Sequence, residues 1–503
     1  MSKRTTEKIK PAYWQDINKI CIKLFALVLV SLSVCKVKAQ FHSDVRLTND
    51  PASSYTSFNN AWCVAASGNS VHVVWHDFRD GNNEIYYKLS TDAGVNWGSD
   101  TRLTNNNSSS MNPAISVSGQ MVHVVWQDSR DMNNEMYYKR STNGGSSWSA
   151  DTRLTNNIAS SIDPSITMSG SAIHIVWWDN RQGNYEIYHI GSSDAGSSWG
   201  IDTNITGNSA FACRPSISAS GNLVHVVWYD NPMGNFEIYY KRSTDGGIGW
   251  GLVTQLTNNN AFSCGPTISV SGLLVHVLWY DTRDGNNEIY YKRSSNNGTT
   301  WGEDTRLTNN AAASKFPSVL ASGLAVHSVW VDDRDGDNEV YYKRSTDGGL
   351  NWETDIRLTN NPSNSQYPSV AVSGLSTLSG VHVVWNDDRD GNVEIYYKND
   401  PTGNPVGIIN INSDIPSEFS LSQNYPNPFN PSTNIKFEIA KPQDASLIIY
   451  DQLGREVRQL SFGFMKAGTY EINFDANGLS TGVYFYKIMT GSSSITRKMF
   501  LLK

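Results

Sequence analysis

Scarcity of cysteine, of charge and of long apolar runs marks this chain: five cysteines in 503 residues, 17% charged residues, and one short apolar segment near the start. A charged fraction well below the roughly 25% of an ordinary soluble domain, beside 39% hydrophobic and 11% aromatic residues, excludes a disordered or strongly electrostatic protein. The apolar segment, Leu24 to Val34, is too short to cross a bilayer as a helix, and no other transmembrane candidate follows it. It lies behind a basic leader (Lys3, Arg4, Lys8, Lys10, Lys19, Lys23) and ahead of Val37-Lys38-Ala39, a small-residue cleavage site before Gln40. Residues 1–39 therefore read as a secretory signal peptide. A lipoprotein reading through Leu32-Ser33-Val34-Cys35 fits less well, because valine adjoins the cysteine.

Removing residues 1–39 takes eight of the 40 Lys/Arg and two of the 47 Asp/Glu, so the net charge moves from −7 to 32 − 45 = −13. So acidic an export product does not suit a phosphate backbone, and no nucleic-acid partner is expected. The signal also removes Cys21 and Cys35. The odd set left behind, Cys63, Cys213 and Cys264, allows at most one intramolecular disulfide in an oxidising compartment.

What the chain has in abundance is repetition. His72, His123, His174, His225, His276, His327 and His382 each sit in a V/I-H-x-V/L-W-like segment, with five successive spacings of 51 and a last one of 55. A period near 50 with strand-like content points to a β-propeller or another repeat architecture. In one unit, Pro266-Thr-Ile-Ser-Val, Val275-His-Val-Leu-Trp279, Ile289-Tyr-Tyr-Lys-Arg and Asp304-Thr-Arg-Leu-Thr308 alternate as strands, separated by Gly-, Asn- and Ser-rich turns. Four strands make one blade. A first R-L-T segment, Arg46-Leu47-Thr48, precedes every blade, while the seventh unit ends after Tyr396-Tyr397-Lys398 without a fourth strand. The expectation is an all-β chain: a seven-bladed propeller over residues 40–400, its N-terminal strand completing the last blade and leaving no open edge. A Pro/Gly-bearing linker is expected over 401–417, and a small β-sandwich over 418–503.

The turn between third and fourth strands repeats as S-x-[DN]-x-G-x-x-W at Ser90–Trp97, Ser141–Trp148, Ser192–Trp199, Ser243–Trp250, Ser294–Trp301 and Ser345–Trp352. Its chemistry is structural: Ser and Asp/Asn oxygens cap turn amides, Gly supplies positive φ, and Trp packs beneath. These six copies resemble the Asp-box (BNR) repeat of sialidases and related propellers. The resemblance implies that the Asp boxes lie on the face opposite any active site. The sequence departs from the sialidase pattern in having seven units where those enzymes have six, and in lacking their F/Y-R-I-P motif, to which Cys213-Arg214-Pro215 is the nearest match. At the other end, Glu418 to Thr433 with Tyr425-Pro-Asn-Pro-Phe-Asn-Pro431, Ile448 to Arg455, Gly468-Thr-Tyr, Leu479 to Phe485 and the basic-apolar end at Arg497 to Lys503 resemble a type IX secretion C-terminal sorting domain. That resemblance implies type IX machinery as a partner and a secreted or outer-surface location, with removal of the domain on release or attachment.

With strands alternating in direction, the D-x-R-D-G-N-x-E loops and the T-N-N-rich crossovers share one face. The loop carboxylates, Asp77 with Glu84 and their equivalents through Asp387 with Glu394, suit either acid/base work or Ca²⁺, or else an Asx-turn braced by an Asp–Arg pair. No cofactor is expected, Ca²⁺ being the one ion these carboxylates would suit. Seven histidines spread round a ring cannot converge on one metal, which favours packing or cross-strand hydrogen bonds. Symmetry fails where the innermost strand begins: the residue before the Pro position is Ala61, Asn112, Asp163, Arg214, Gly265, Phe316 and Tyr367, Trp62 replaces the Pro in the first unit, and Lys315 adjoins Phe316. Trp62, Asn112, Asp163, Arg214, Lys315, Phe316 and Tyr367 are therefore the candidate ligand-binding set, suited to a glycan or a protein segment at the channel mouth. Cys213 and Cys264 hold equivalent places in adjacent units and are the disulfide candidate. The expectation is a monomeric exported propeller that binds rather than catalyses. The alternative is an exo-acting glycoside hydrolase of sialidase type with Asp163 as acid, Tyr367 as nucleophile and Arg214 as anion clamp.

Overall fold

In the computed structural model the described residues are 41–57, 62–207, 211–373, 380–401, 408–412 and 416–502, apart from 431, 442, 466, 477–478 and 491–492. The expected signal peptide and Ala61 lie outside them. Seven antiparallel sheets succeed one another along the chain, then two more make up the C-terminal domain. The fifth sheet is typical, with strands Ser263–Ser271, Leu274–Asp281, Glu288–Ser294 and Thr305–Arg306 hydrogen-bonded in sequence order. The chain is a seven-bladed β-propeller followed by a β-sandwich.

Side chains explain why neighbouring blades adhere. Each second strand buries its tryptophan completely (Trp75, Trp126, Trp177, Trp228, Trp279, Trp330, Trp385), stacked on a tyrosine of the third strand about one ring away, as for Trp279 and Tyr290 at 5.9 Å. The Asp-box tryptophans meet the preceding blade edge-on, Trp148 against Tyr87 at 5.0 Å and Trp301 against Tyr240 at 4.9 Å. Within the turn the expected capping is present: Ser141 Oγ accepts from Gly145 N at 2.8 Å, and Asn143 Oδ1 accepts from Ser147 N at 2.9 Å. The second glycine has a further reason to be glycine: at Gly145 (φ +90°) an added Cβ would lie 2.0 Å from the Tyr87 hydroxyl of the blade before. Inner-strand amides, which would otherwise form an open edge, donate across blade boundaries, as Ile268 N does to Ser216 Oγ at 3.2 Å and Cys63 N to Ser369 Oγ at 3.1 Å.

Closure follows the expected route. Val45–Arg46 pairs antiparallel with Glu394–Asp400, Val45 opposite Tyr397, and so supplies the fourth strand of the seventh blade. The replacement extends further back, because Phe41 meets Tyr342 edge-on at 4.9 Å, the contact that an Asp-box tryptophan makes in every other blade, and His42 N donates to Asn399 O at 2.8 Å.

In the C-terminal domain, one sheet (Ile408–Asn412, Gly468–Asp475, Ser432–Ile439, Ser420–Leu421) faces another (Glu456–Met465, Gln443–Asp451, Gly482–Thr490, Ser494–Leu501) over a core that includes Ile435, Phe437, Leu447, Ile449, Ile472 and Tyr486. Strand Ile408–Asn412 lies inside the stretch expected as linker. Its Ile408-Ile409-Asn410-Ile411 alternation pairs with the edge of Gly468–Asp475, so the sandwich draws on chain N-terminal to residue 418.

Candidate functional site

In five blades the innermost strand starts three residues before its proline, and in the fourth two before it, the extra length being absorbed by a bulge. In the fifth blade Cys264 pairs with Tyr280 and Thr267 with Leu278, leaving Gly265-Pro266 out of register. The residue before proline takes a left-handed conformation in six successive blades: Asn112 (φ 51°), Asp163 (φ 53°), Arg214 (φ 48°), Gly265 (φ 59°), Phe316 (φ 53°) and Tyr367 (φ 50°). Glycine is at ease there, but Phe, Tyr and Arg are not, so the same strained bulge is held in six blades whatever side chain it carries. This ring comprises the positions at which the sequence breaks its symmetry.

A second varied ring, missed by sequence reasoning, lies against the first. The residue between the repeated Trp and Asp of the second strand is His76, Gln127, Trp178, Tyr229, Tyr280, Val331 and Asn386, and each faces the start of its blade's inner strand in register, as Tyr229 faces Cys213. Its signal was available: one free position inside an otherwise fixed W-x-D segment.

The two rings interlock. Asn112 Nδ2 donates to Asp163 Oδ1 at 2.9 Å and to Gln127 Oε1 at 3.2 Å, Asp163 N donates to the same Gln127 oxygen at 3.1 Å, and Trp178 Nε1 donates to Asp163 Oδ2 at 3.0 Å. Burial pushes the Asp163 carboxyl above the ordinary carboxylate range, against the Trp178 hydrogen bond and the Arg214 charge, which pull it down. Arg214 makes no hydrogen bond or ion pair among the described residues; Tyr229 and Asp163 nevertheless hold it protonated against its burial. Opposite, Phe316 packs on Tyr367 with ring centres 4.9 Å apart and on Tyr280 at 5.9 Å. A cleft of about 200 Å³ beside Tyr367 is lined by Tyr55, Gln366, Asn386 and Asp388, smaller than a drug-sized pocket of about 300–1,000 Å³ and scaled to one small polar ring. Lys315 is half-buried at the strand position before Phe316. Trp62, also half-buried, stands where other blades have proline, and its carbonyl accepts from Ile115 N at 2.9 Å. Tyr55 pairs with His76 as Cys264 pairs with Tyr280, so six residues of sequence separate Tyr55 from Trp62 where one separates Cys264 from Pro266.

Other candidates resolve into scaffold. Asp281 accepts from Arg283 N (2.9 Å), Arg283 Nη2 (2.6 Å), Ser263 Oγ (2.7 Å) and Trp279 Nε1 (3.0 Å), while Arg283 reaches on to Asp304 at 2.7 Å and lies 4.3 Å over the Tyr290 ring. Glu288 is likewise held by Arg306, Asn286 and Thr308. These carboxylates brace the loop through the Asp–Arg pairing of the Asx-turn reading, and among the described residues no cluster of His, Cys, Asp and Glu could hold a metal ion. The repeated histidines bridge strands, as His276 Nδ1 with the Tyr291 hydroxyl at 2.8 Å. In the third blade the tyrosine is replaced, and His174 Nδ1 faces His189 Nε2 at 3.1 Å.

The expected bridge between Cys213 and Cys264 is not formed: both are free thiols, and Cys213 Sγ points to the Tyr229 carbonyl of its own blade at 4.0 Å. Burial pushes both thiols up to about 12. Native protein is therefore expected to react with a thiol-specific disulfide reagent at pH 8 at least about 100-fold slower than unfolded protein, and to keep its Tm in reductant; a reductant-induced drop of several degrees would show a bridge.

Residues 423–502 match the family described as secretion system C-terminal sorting domain. The protein is thus addressed to the cell exterior, released or held at the outer surface. No described helix is long and apolar enough to cross a membrane. No curated protein matches the chain. Among solved structures it is similar to polysaccharide lyase Uly1, at 8% identity and TM-score 0.49 over 72% of this chain and 99% of that one. Trypanosoma rangeli sialidase aligns at 10% identity and TM-score 0.41 over 91% and 88%, and a neuraminidase-like protein from A/bat/Guatemala/164/2009 at 8% and 0.38 over 59% and 89%.

Proposed function

We propose that this exported propeller binds a carbohydrate at its channel mouth, with Arg214 and Asp163 fixing hydroxyl or carboxylate groups and Trp178, Phe316 and Tyr367 covering sugar faces. One observation carries the reading: six successive bulge residues share a strained left-handed backbone yet carry chemically different side chains, whereas scaffold positions repeat from blade to blade. A carbohydrate suits this geometry better than a protein segment, because neighbouring mouth side chains already touch and the cleft beside Tyr367 is the size of a single ring. The sorting domain delivers the site to where such ligands are met.

A glycoside hydrolase is the second reading, favoured by the Asp163 carboxyl, which burial holds toward the protonated state that a general acid needs. A glycan array combined with a fluorogenic glycoside panel separates the two. Binding without turnover, weakened about tenfold or more by Arg214→Ala, is the expected result, since loss of a charge-assisted bond costs about 1.5–3 kcal/mol. Turnover that vanishes in Asp163→Asn would establish the hydrolase instead, and binding indifferent to Arg214→Ala would remove the mouth from the account.

A further inference from the structure

Over blades three to five the mouth face carries a strip of aromatic rings that the scaffold does not require. Trp178 packs on Tyr185 with ring centres 4.5 Å apart, Tyr185 on Phe211 at 5.0 Å, Phe211 on Phe236 at 6.2 Å, and Phe236 on Phe262 at 6.3 Å. Phe211 and Phe262 are 37% and 52% exposed, and Tyr185 and Phe236 are half-buried. Elsewhere the same positions are mostly polar or small. The place of Tyr185 and Phe236, just before the buried glutamate, is held by Asn83, Asn134, Asn287 and Asn338. The place of Phe211 and Phe262, two residues before the inner-strand partner of the varied W-x-D position, is held by Ser53, Ser109, Ser160, Ala313 and Asn364. Five blades thus fold without an aromatic at the crossover and four with an asparagine in the loop, so the rings answer to something outside the fold.

The strip is continuous with the mouth through Trp178, whose nitrogen donates to Asp163 Oδ2 while its ring packs on Tyr185. Resting on the carbohydrate reading above, we infer that the ligand is an extended polysaccharide, with one residue seated at Asp163 and Arg214 and the following residues lying along Tyr185, Phe211, Phe236 and Phe262. Aromatic faces pair with the apolar faces of successive sugar rings, and the surrounding Asn-rich loops meet their hydroxyl rims. A protein partner fits less well by area. Five rings of about 150–250 Å² each, mostly a third exposed or less, leave on the order of 300 Å² of apolar surface, against about 800 Å² per partner in a stable interface.

The test uses the full exported chain with four soluble probes (β-glucan, xylan, hyaluronan and alginate), each as polymer and as its di- to hexasaccharides, read by affinity electrophoresis and calorimetry. The decisive variant returns each ring to a residue other blades carry: Tyr185→Asn, Phe211→Ser, Phe236→Asn and Phe262→Ser together, with Tm confirming the fold. For a probe that binds, affinity is expected to rise about tenfold or more from disaccharide to hexasaccharide in the native protein. In the fourfold variant that gain should shrink to about threefold or less while disaccharide affinity, which draws on Tyr185 alone of the four rings, falls by no more than about threefold, and Arg214→Ala should weaken all lengths alike. A length gain that survives in the variant, or is missing from the native protein, overturns the strip and leaves the mouth reading intact. Failure of every probe to bind native protein overturns the mouth reading, and the strip with it.

Discussion

Deleting Phe41–Thr48 is expected to abolish cooperative folding of the propeller, although the segment is eight residues long and carries no candidate site residue. Its loss would uncover the edge of Glu394–Asp400 and empty three kinds of contact at once. Leu47 is 3% exposed, and its removal alone ranks with core truncations that cost about 2–5 kcal/mol. Glu394 is fully buried and held by Arg46 Nη2 at 2.7 Å and Thr48 Oγ1 at 2.5 Å, so it would be left as an unpaired interior charge, a defect of about 3–5 kcal/mol. Asp44, which receives Arg389 at 2.7 Å and Lys398 at 2.8 Å, would go as well. Together these rival the about 5–15 kcal/mol that keeps a domain folded. Arg46→Ala should lower stability by several kcal/mol, and Phe41→Ala by about 1–2 because its ring is only half-buried. Urea unfolding and limited proteolysis would decide it: a deletion variant with a native Tm would mean that the ring does not depend on its N-terminal clasp.

The clasp also shows how much of the fold was legible. R-L-T segments could be counted, and the missing seventh copy pointed to the N-terminus. Phe41 could not be seen in the same way, because a phenylalanine stands where six tryptophans set the pattern and only the contact with Tyr342 reveals the equivalence. The asymmetry of the mouth was legible as composition but not as geometry. A residue before proline is ordinarily pushed toward extended backbone, so nothing in Asp163-Pro164 or Tyr367-Pro368 announces a left-handed bulge. The free position in W-x-D is illegible for a different reason: Trp178 has no counterpart in the other units, yet its tie to Asp163 depends on a strand pairing between Ile162 and Trp178 that only register reveals. Cys213 and Cys264 occupy equivalent places, as their sequence positions imply, but equivalence places two thiols on neighbouring strands without aiming them at each other.

Acid should unfold this protein well above the pH at which its carboxylates titrate. Burial lowers His72, His76, His123, His174 and His225 from 6.5 to about 4, and His189, His276 and His382 to about 3. A histidine whose folded pKa is depressed binds fewer protons in the native state than in the unfolded one, so stability falls as pH drops below 6.5 and keeps falling until the folded pKa is reached. At about 1.4 kcal/mol per unit, one such group costs about 2 kcal/mol at pH 5, and eight together cost about 16, more than the whole stability of an ordinary domain. The paired carboxylates Asp77, Asp128, Asp281, Asp332 and Asp387 are lowered below 3.8 instead, so the stability they contribute is lost only at lower pH, after the histidines have acted. Tm measured from pH 7.5 to 4 should therefore decline from about pH 6.5 with growing slope, and the cooperative transition should be gone by about pH 5. His189→Tyr isolates the cause. It installs the tyrosine that the equivalent third strands carry, with room for its hydroxyl over Gly247 as Tyr87 has over Gly145, and it removes one depressed group and its charge conflict with His174. The variant should match native protein at pH 7.5 and exceed it by about 2 kcal/mol at pH 5. A flat Tm down to pH 4, or a variant indistinguishable at pH 5, would mean that the buried histidines are protonated in the folded ring.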